Sequence, residues 1–175
     1  MNWEFSVLEA LRELYTPLLD RLMIGISFLG NSGWIWIAAG VALLFSKKYR
    51  RSGILVLVAL LLGLLIANLT IKPLVARLRP FQIDPTLSLL IPPPGEFSFP
   101  SGHSVSSAAA ATVLTLTDKK FGRVAVPLAL LIAFSRLYLT VHFPTDVMAG
   151  LLLGTLIGLF TWFVLRPVTA RWRLK

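Results

Sequence analysis

Two histidines, one aspartate and a set of spaced cations carry the chemistry available to this sequence. The stretch Phe97-Ser98-Phe99-Pro100-Ser101-Gly102-His103-Ser104 reads as a loop, and Val105 to Ala111 after it reads as a helix of small residues. Such a seam binds anions, because the first amides of a helix lack internal partners and sit at the positive end of its dipole. Ser101 is a favoured cap for a helix start, and Gly102 lets an oxyanion approach the backbone closely. His103 then falls in the first turn, facing whatever the amides hold. A plain serine cap beside a structural histidine would have the same residues.

His142 and Asp146 stand four apart, so on one helix their side chains point within about 40° of each other. Pro144 disturbs that helix, and only proximity follows. A carboxylate that accepts an imidazole N–H fixes the tautomer, stabilises the cation and leaves the other ring nitrogen free as nucleophile or base. A solvated turn is the alternative. Arg136 lies inside an apolar segment, where an arginine costs roughly 2.5–3.5 kcal/mol at midspan; it faces either a polar site or an ion-pair partner such as Asp146. Lys72 and Arg79 are seven apart, close to two helical turns, so on a helix they share a face and can address one anion. Snorkelling to the interface is the alternative for each, and Arg77 between them reads as an interfacial anchor. Two histidines, few carboxylates and no cysteine make a poor metal site, and three nearby cations would repel a metal further, so neither metal nor cofactor is expected.

These residues need a scaffold, and composition says which kind. The chain is 56% hydrophobic and 14% charged, with mean hydropathy +0.78, against about 25% charge in soluble domains. Residues 22–46, 52–71 and 147–165 carry no charge, and each approaches or exceeds the ~20 residues that cross a bilayer. Residues 124–145 form a fourth run, broken only by Arg136 and His142. Residues 97–117 form a fifth, rich in Ala, Ser and Thr, which suits a helix inside a bundle. The expected fold is an all-α integral membrane protein, with about five transmembrane helices and an N-terminal interfacial amphipathic helix. It forms a single domain over 1–175. In the interfacial segment, 1–17, residues Trp3, Val7, Leu8, Leu11, Leu14 and Tyr15 recur at helical spacing opposite Glu9, Arg12 and Glu13. Gly30-Asn31-Ser32-Gly33 is a point where the first span breaks or kinks. The outer loop 80–100 holds six of the eleven prolines and is a lid or a connector. The fourth span is expected from Val124, with Pro127 in its first turn. Trp162 and Trp172 are expected at the interface. The small residues Ala108 to Ala111 serve close packing or open a groove between helices.

The net charge of +9 raises a nucleic-acid reading that its distribution argues against. Lys47, Lys48, Arg50 and Arg51 follow the first span; Lys119, Lys120 and Arg123 the third; Arg166, Arg171, Arg173 and Lys175 the last. With five crossings all fall on one side, which the positive-inside bias makes cytoplasmic. The N-terminus is then outside and the C-terminus cytoplasmic, and Lys72, Arg79, His103, Arg136, His142 and Asp146 gather at the outer face.

Lys72-(six residues)-Arg79-Pro80, then Pro100-Ser101-Gly102-His103, then Ser135-Arg136-(five residues)-His142-(three residues)-Asp146 resemble the three-part signature of the type 2 phosphatidic acid phosphatase superfamily, in order and with its spacing. The resemblance implies a metal-independent phosphatase of lipid phosphates or diphosphates, with a membrane lipid as substrate and the bilayer as surroundings. It implies that His142 is the nucleophile, forming a phosphohistidine, that Asp146 orients it, and that His103 is the general acid. Lys72, Arg79, Arg136, Ser101 and Gly102 would hold the phosphate oxygens. Undecaprenyl diphosphate, phosphatidylglycerol phosphate, phosphatidic acid and the 1-phosphate of lipid A are the implied candidates, in a bacterial inner membrane with the site facing the periplasm. A lipid phosphotransferase and a non-catalytic lipid-phosphate binder or transporter are the rivals.

Overall fold

Apolar runs in lipid become helices because each amide must find its partner within its own segment. The computed structural model describes residues 3–165; Arg166, Arg171, Trp172, Arg173 and Lys175 lie outside the described residues. Regular structure among the described residues is entirely helical. Helix α1 (Trp3–Arg12) is followed by α2 (Pro17–Leu29), whose start is set by Pro17 and by Thr16, which accepts from Leu19 N at 3.3 Å. The break expected at Gly30–Gly33 occurs. Ser32 and Gly33 adopt positive φ (51° and 67°), and α3 (Trp34–Leu44) leaves at 46° to α2.

A basic turn leads into α4 (Arg50–Gly63). Its continuation, Leu64–Ile71, widens to π-helical turns before closing as α5 (Lys72–Val75). Short α6 (Pro80–Ile83) opens the proline-rich loop. The remaining helices are α7 (Gly102–Thr117), α8 (Lys119–Tyr138) and α9 (Pro144–Phe160), the last extended by a wide turn over Thr161–Leu165.

Three helical stretches are long and apolar enough to cross a membrane, Arg50–Ile83, Lys119–Tyr138 and Pro144–Leu165; the bent pair α2–α3 makes a fourth if it counts as one span. The stretch read as a fifth, α7, has 16 residues, about 24 Å, short of a ~30 Å hydrocarbon core. It is the central helix of the bundle, packed against α4, α8 and α9. Small residues permit this. Gly150, Gly154 and Gly158 recur every four residues on α9, and a Cβ on Gly154 would fall 2.3 Å from Val105 O and 2.9 Å from Ala108 Cβ. Ala108 and Ala109 face these glycines, and Ala108 to Ala111 are all buried.

Two expectations are corrected. Pro127 lies well inside α8, because Asp118 caps the helix further upstream by accepting from Lys120 N at 2.9 Å. Trp162 is 8% exposed and belongs to the core, since the wide turn that carries it packs against α4 and α7.

The ends of the bundle differ in charge. The basic turns before α4 and α8 meet at one end, where Tyr49 donates to Asp118 Oδ2 at 3.2 Å and stacks edge-on against Phe121. Because α7 runs away from its start, the opposite end holds the starts of α7 and α9 and the close of α8. There α1 packs against α8 and α9. It buries Leu8 and Glu4 while Trp3 and Val7 stay exposed.

Candidate active site

The turn between α8 and α9 carries His142. Thr140 takes a left-handed conformation there (φ 53°), unusual for a β-branched residue. The turn is pinned by Val141 N donating to Arg136 O (3.2 Å) and by Arg79 Nη1 donating to Val141 O (2.7 Å). The imidazole is buried. Its Nε2 lies 3.2 Å from Arg79 Nη1 and its Nδ1 lies 3.5 Å from Asp146 Oδ2 and 3.4 Å from Ser98 Oγ. Contacts of this kind are commonly loose in a free enzyme and tighten around substrate.

Asp146 is fixed from several sides. It sits in the first turn of α9, where Oδ2 accepts from Phe143 N at 2.8 Å and from Ser98 Oγ at 2.5 Å. Its Oδ1 accepts from Arg77 Nη1 at 2.7 Å. Arg77, read from the sequence as an interfacial anchor, is therefore part of this cluster. Its other nitrogen, Nη2, donates to Glu4 Oε2 at 2.6 Å, and its guanidinium lies over the Phe143 ring at 4.2 Å. Asp146 thus pairs with Arg77, and Arg136 has a different environment. Arg136 Nη1 donates to Ser27 Oγ, its Nε is buried with no hydrogen-bond partner, and it enters no ion pair among the described residues.

Lys72 and Arg79 reach one place by a route other than a shared helix face. The helix stops at Val75, Ala76 turns left-handed (φ 48°), and Arg79 caps the start of α6. The helix is broken between the two residues, and both side chains line one cavity. Arg79 Nε also donates to Glu96 O at 2.6 Å. Lys72 forms an ion pair with the Glu96 carboxylate, whose side chain is 64% exposed. The hydrogen bond from Lys72 holds the Glu96 carboxyl below the usual carboxylate range.

His103 occupies the first turn of α7 as read from the sequence. Its Nε2 meets Asn31 Oδ1 at 3.0 Å, across the broken turn between α2 and α3. Gly30 makes room for the ring, since a Cβ there would lie 2.6 Å from His103 Cδ2. Gly102 lines the cavity. Ser101 is fully buried and builds the turn, its Oγ accepting from Ser104 Oγ at 3.0 Å.

The cavity measures about 780 Å³. Its polar end joins Lys72, Arg79, Glu96, Gly102, His103, Arg136 and His142. Its apolar end runs between α3 and α4 along Ile37, Leu57, Leu60, Leu61 and Leu64, of which Ile37, Leu61 and Leu64 are exposed on the flank of the bundle. Lys72, Arg79 and Arg136 are each no more than 5% exposed. Three buried cations with one carboxylate among them are costly unless an anion shares them, and phosphate, with oxygens on every side, suits forks of this kind.

Sequence reasoning gave no site role to Arg77, Glu4, Ser98 or Asn31. Glu4 lies on the same helical stripe as Leu8 and Leu11, and a carboxylate on an apolar stripe is the signal it offered. Asn31 stood in the recognised break, and Ser98 in the quoted loop.

Residues 52–169 match the model of the PAP2 superfamily. The chain is 36% identical over 142 residues to an undecaprenyl-diphosphatase of Sulfolobus acidocaldarius, covering 80% of this chain and 68% of that protein. It is 30% identical over 169 residues to a lipid A 4'-phosphatase of Porphyromonas gingivalis, covering 89% and 70%. Among solved structures it resembles the transmembrane PAP2-type phosphatidylglycerolphosphate phosphatase of Bacillus subtilis, with TM-score 0.74 and 28% identity over 97% of this chain and 85% of that one. It also resembles LpxE of Aquifex aeolicus, with TM-score 0.79 and 27% identity over 92% and 95%.

Proposed function

This chain belongs to the PAP2 superfamily, and on that premise we propose that it hydrolyses a lipid phosphate or diphosphate through a phosphohistidine on His142. It is a multi-pass membrane protein and an enzyme, a phosphatase of lipid phosphates. One observation carries the reading. A buried imidazole backed by a carboxylate faces three buried cations at the polar end of a cavity whose other end is apolar.

His142 keeps its Nδ1 proton and points that N–H at the Asp146 and Ser98 oxygens, which leaves the Nε2 lone pair free to attack phosphorus. Lys72, Arg79 and Arg136 take the charge on the phosphoryl oxygens, and the amides at the start of α7, built by Ser101 and Gly102, add fixed donors. Nε2 bonds to phosphorus as the bond to the leaving oxygen breaks, and that oxygen takes the proton of His103. Water then gives a proton back to His103 and attacks the phosphohistidine, releasing inorganic phosphate and restoring neutral His142. Asn31 holds the His103 ring in place between these steps.

The reaction takes place at the outer, periplasmic face of the inner membrane, with the C-terminus cytoplasmic. Both described basic turns lie at the end opposite the site, which supports this orientation. The substrate's headgroup occupies the polar end of the cavity and its chain the apolar end.

The test is phosphate release by the chain purified in detergent with a chelator present, across undecaprenyl diphosphate, phosphatidylglycerol phosphate, phosphatidic acid and lipid A 1-phosphate. Turnover on at least one is expected. Binding without turnover on all four overturns the reading in favour of a lipid carrier.

Glu96 gives a second expectation. Its carboxylate holds Lys72 in the free protein, so a substrate phosphate must displace it. Glu96→Gln therefore lowers KM by about two- to fivefold, the worth of an exposed ion pair, and leaves kcat unchanged in steady-state assays. Because the Glu96 carboxyl is held low, the pair is intact above the usual carboxylate range, and lowering the pH loosens it only below that range.

A further inference from the structure

Asp146 is held on Oδ1 by an arginine that is itself held by a carboxylate from the other end of the sequence. Arg77 Nη1 reaches Asp146 Oδ1 at 2.7 Å and Thr145 Oγ1 at 2.6 Å, while Nη2 reaches Glu4 Oε2 at 2.6 Å. Glu4 in turn accepts from Thr145 Oγ1 at 2.6 Å and from Thr145 N at 3.2 Å, through Oε1. Glu4 is 5% exposed, and α1 is seated by Leu8, fully buried, and by Phe5 packed edge-on against Phe143 at 5.3 Å. A carboxylate accepting a backbone amide in the first turn of α9 also sits at the positive end of that helix. The buried series therefore alternates in charge, Glu4 negative, Arg77 positive, Asp146 negative, and ends on the His142 imidazole.

We propose that Glu4 and Arg77 are positioning residues for the nucleophile, so that docking of α1 sets the orientation and charge of Asp146 behind His142. This inference rests on the phosphohistidine reading above. Arg77 alone would hold Asp146 still, but would also draw its negative charge away from the imidazole. Glu4 neutralises Arg77 from the far side, so Asp146 stays both immobile and fully able to stabilise the positive imidazole that forms as the Nε2–phosphorus bond does. Removing Glu4 leaves Arg77 to share its charge with Asp146 alone. Removing Arg77 leaves Oδ1 without its donor and sets Glu4 and Asp146 as neighbouring like charges.

The experiment is a double-mutant cycle on the full chain in detergent, with kcat counted per phosphorylatable site from the amplitude of the first turnover, so that any misfolded fraction drops out. Glu4→Gln lowers kcat by about five- to tenfold with KM within about twofold, and Arg77→Met lowers it by about ten- to hundredfold, the range of coupled neighbours. In the Arg77→Met background, Glu4→Gln costs less than about a further twofold, because its path to Asp146 is gone. Glu9→Gln, on the exposed face of the same helix, keeps full activity. A brace that only steadies the fold would lower the melting temperature and leave kcat per site unchanged, and that result overturns the proposal. So does a double variant whose loss is the product of the two single losses. His142→Ala, measured beside them, separates the two readings. If it is inactive while Glu4→Gln is fully active, the positioning role fails and the phosphatase reading stands. If it is active, the reading fails and the positioning role with it.

Discussion

Replacing His142 with alanine is expected to remove phosphate release, by about four to six orders of magnitude in kcat, the loss seen when a nucleophile acting as part of a unit is deleted. Among the described residues no group at the polar end is set up to take its place. Lys72, Arg79 and Arg136 are cations, the Glu96 carboxylate is paired with Lys72, and His103 has its Nε2 on Asn31. Ser106, the lone hydroxyl residue on that side of α7 lining the cavity besides Ser32 of the broken turn, bonds back to His103 O at 3.2 Å and has no base behind it. The variant keeps the three cations, so it still binds substrate and KM changes little. Two measurements check it: phosphate release under chelator, and labelled phosphate retained on the protein after a basic quench, where phosphohistidine survives. The wild type retains label and the variant does not. Retained turnover in the variant would assign the chemistry to another group and remove the covalent step.

Arg136→Met is expected to act in opposite directions on activity and stability. Arg136 is buried, with one bond to Ser27, an unbonded Nε and no ion pair among the described residues. An uncompensated buried cation is a cost to the fold, and exchanging buried charge for an apolar side chain of similar size is often neutral or stabilising. Its charge is useful only when a phosphoryl group shares the cavity, and a preorganised donor of this kind contributes about 10²–10³ to the rate. Arg136→Met should therefore lose about 10²–10³ in kcat/KM while its melting temperature in detergent stays level or rises. Inorganic phosphate adds a further readout, since a ligand that binds only the native state raises its stability. Phosphate should raise the melting temperature of the wild type more than that of the variant. A variant that melts lower and keeps its activity would show Arg136 to be a structural residue.

The site was legible in sequence wherever the chemistry was anomalous for its surroundings. Arg136 inside an apolar run, histidine at a loop-to-helix seam and the His142–Asp146 spacing all stand out against lipid-compatible residues, and the fold brings Lys72, Arg79, Gly102, His103, Arg136 and His142 to one cavity, with Asp146 directly behind His142. The route for Lys72 and Arg79 was misread, because a seven-residue spacing implies one face only if the helix continues, and Ala76 ends it. Glu4 and Arg77 were passed over for a different reason. Each looks like an ordinary interfacial charge locally, and their contact spans 73 positions of chain, which no periodicity reports. Trp162 was assigned to the interface by residue type, whereas the wide turn beneath it directs the indole inward. The glycine ladder of α9 was likewise invisible as a site feature, although Gly150 packs on Ser101 and Ser104, the residues flanking Gly102 and His103 at the start of α7.

The apolar arm of the cavity has a consequence for how this enzyme experiences concentration. Its rim of Ile37, Leu61 and Leu64 is exposed on the flank of the bundle, so on the proposed reading the reactant arrives by diffusing within a sheet two molecules thick while the freed phosphate departs into water. The quantity that drives turnover is then the crowding of reactant among its lipid neighbours, and diluting a suspension with buffer leaves it untouched, whereas blending in an inert lipid does not.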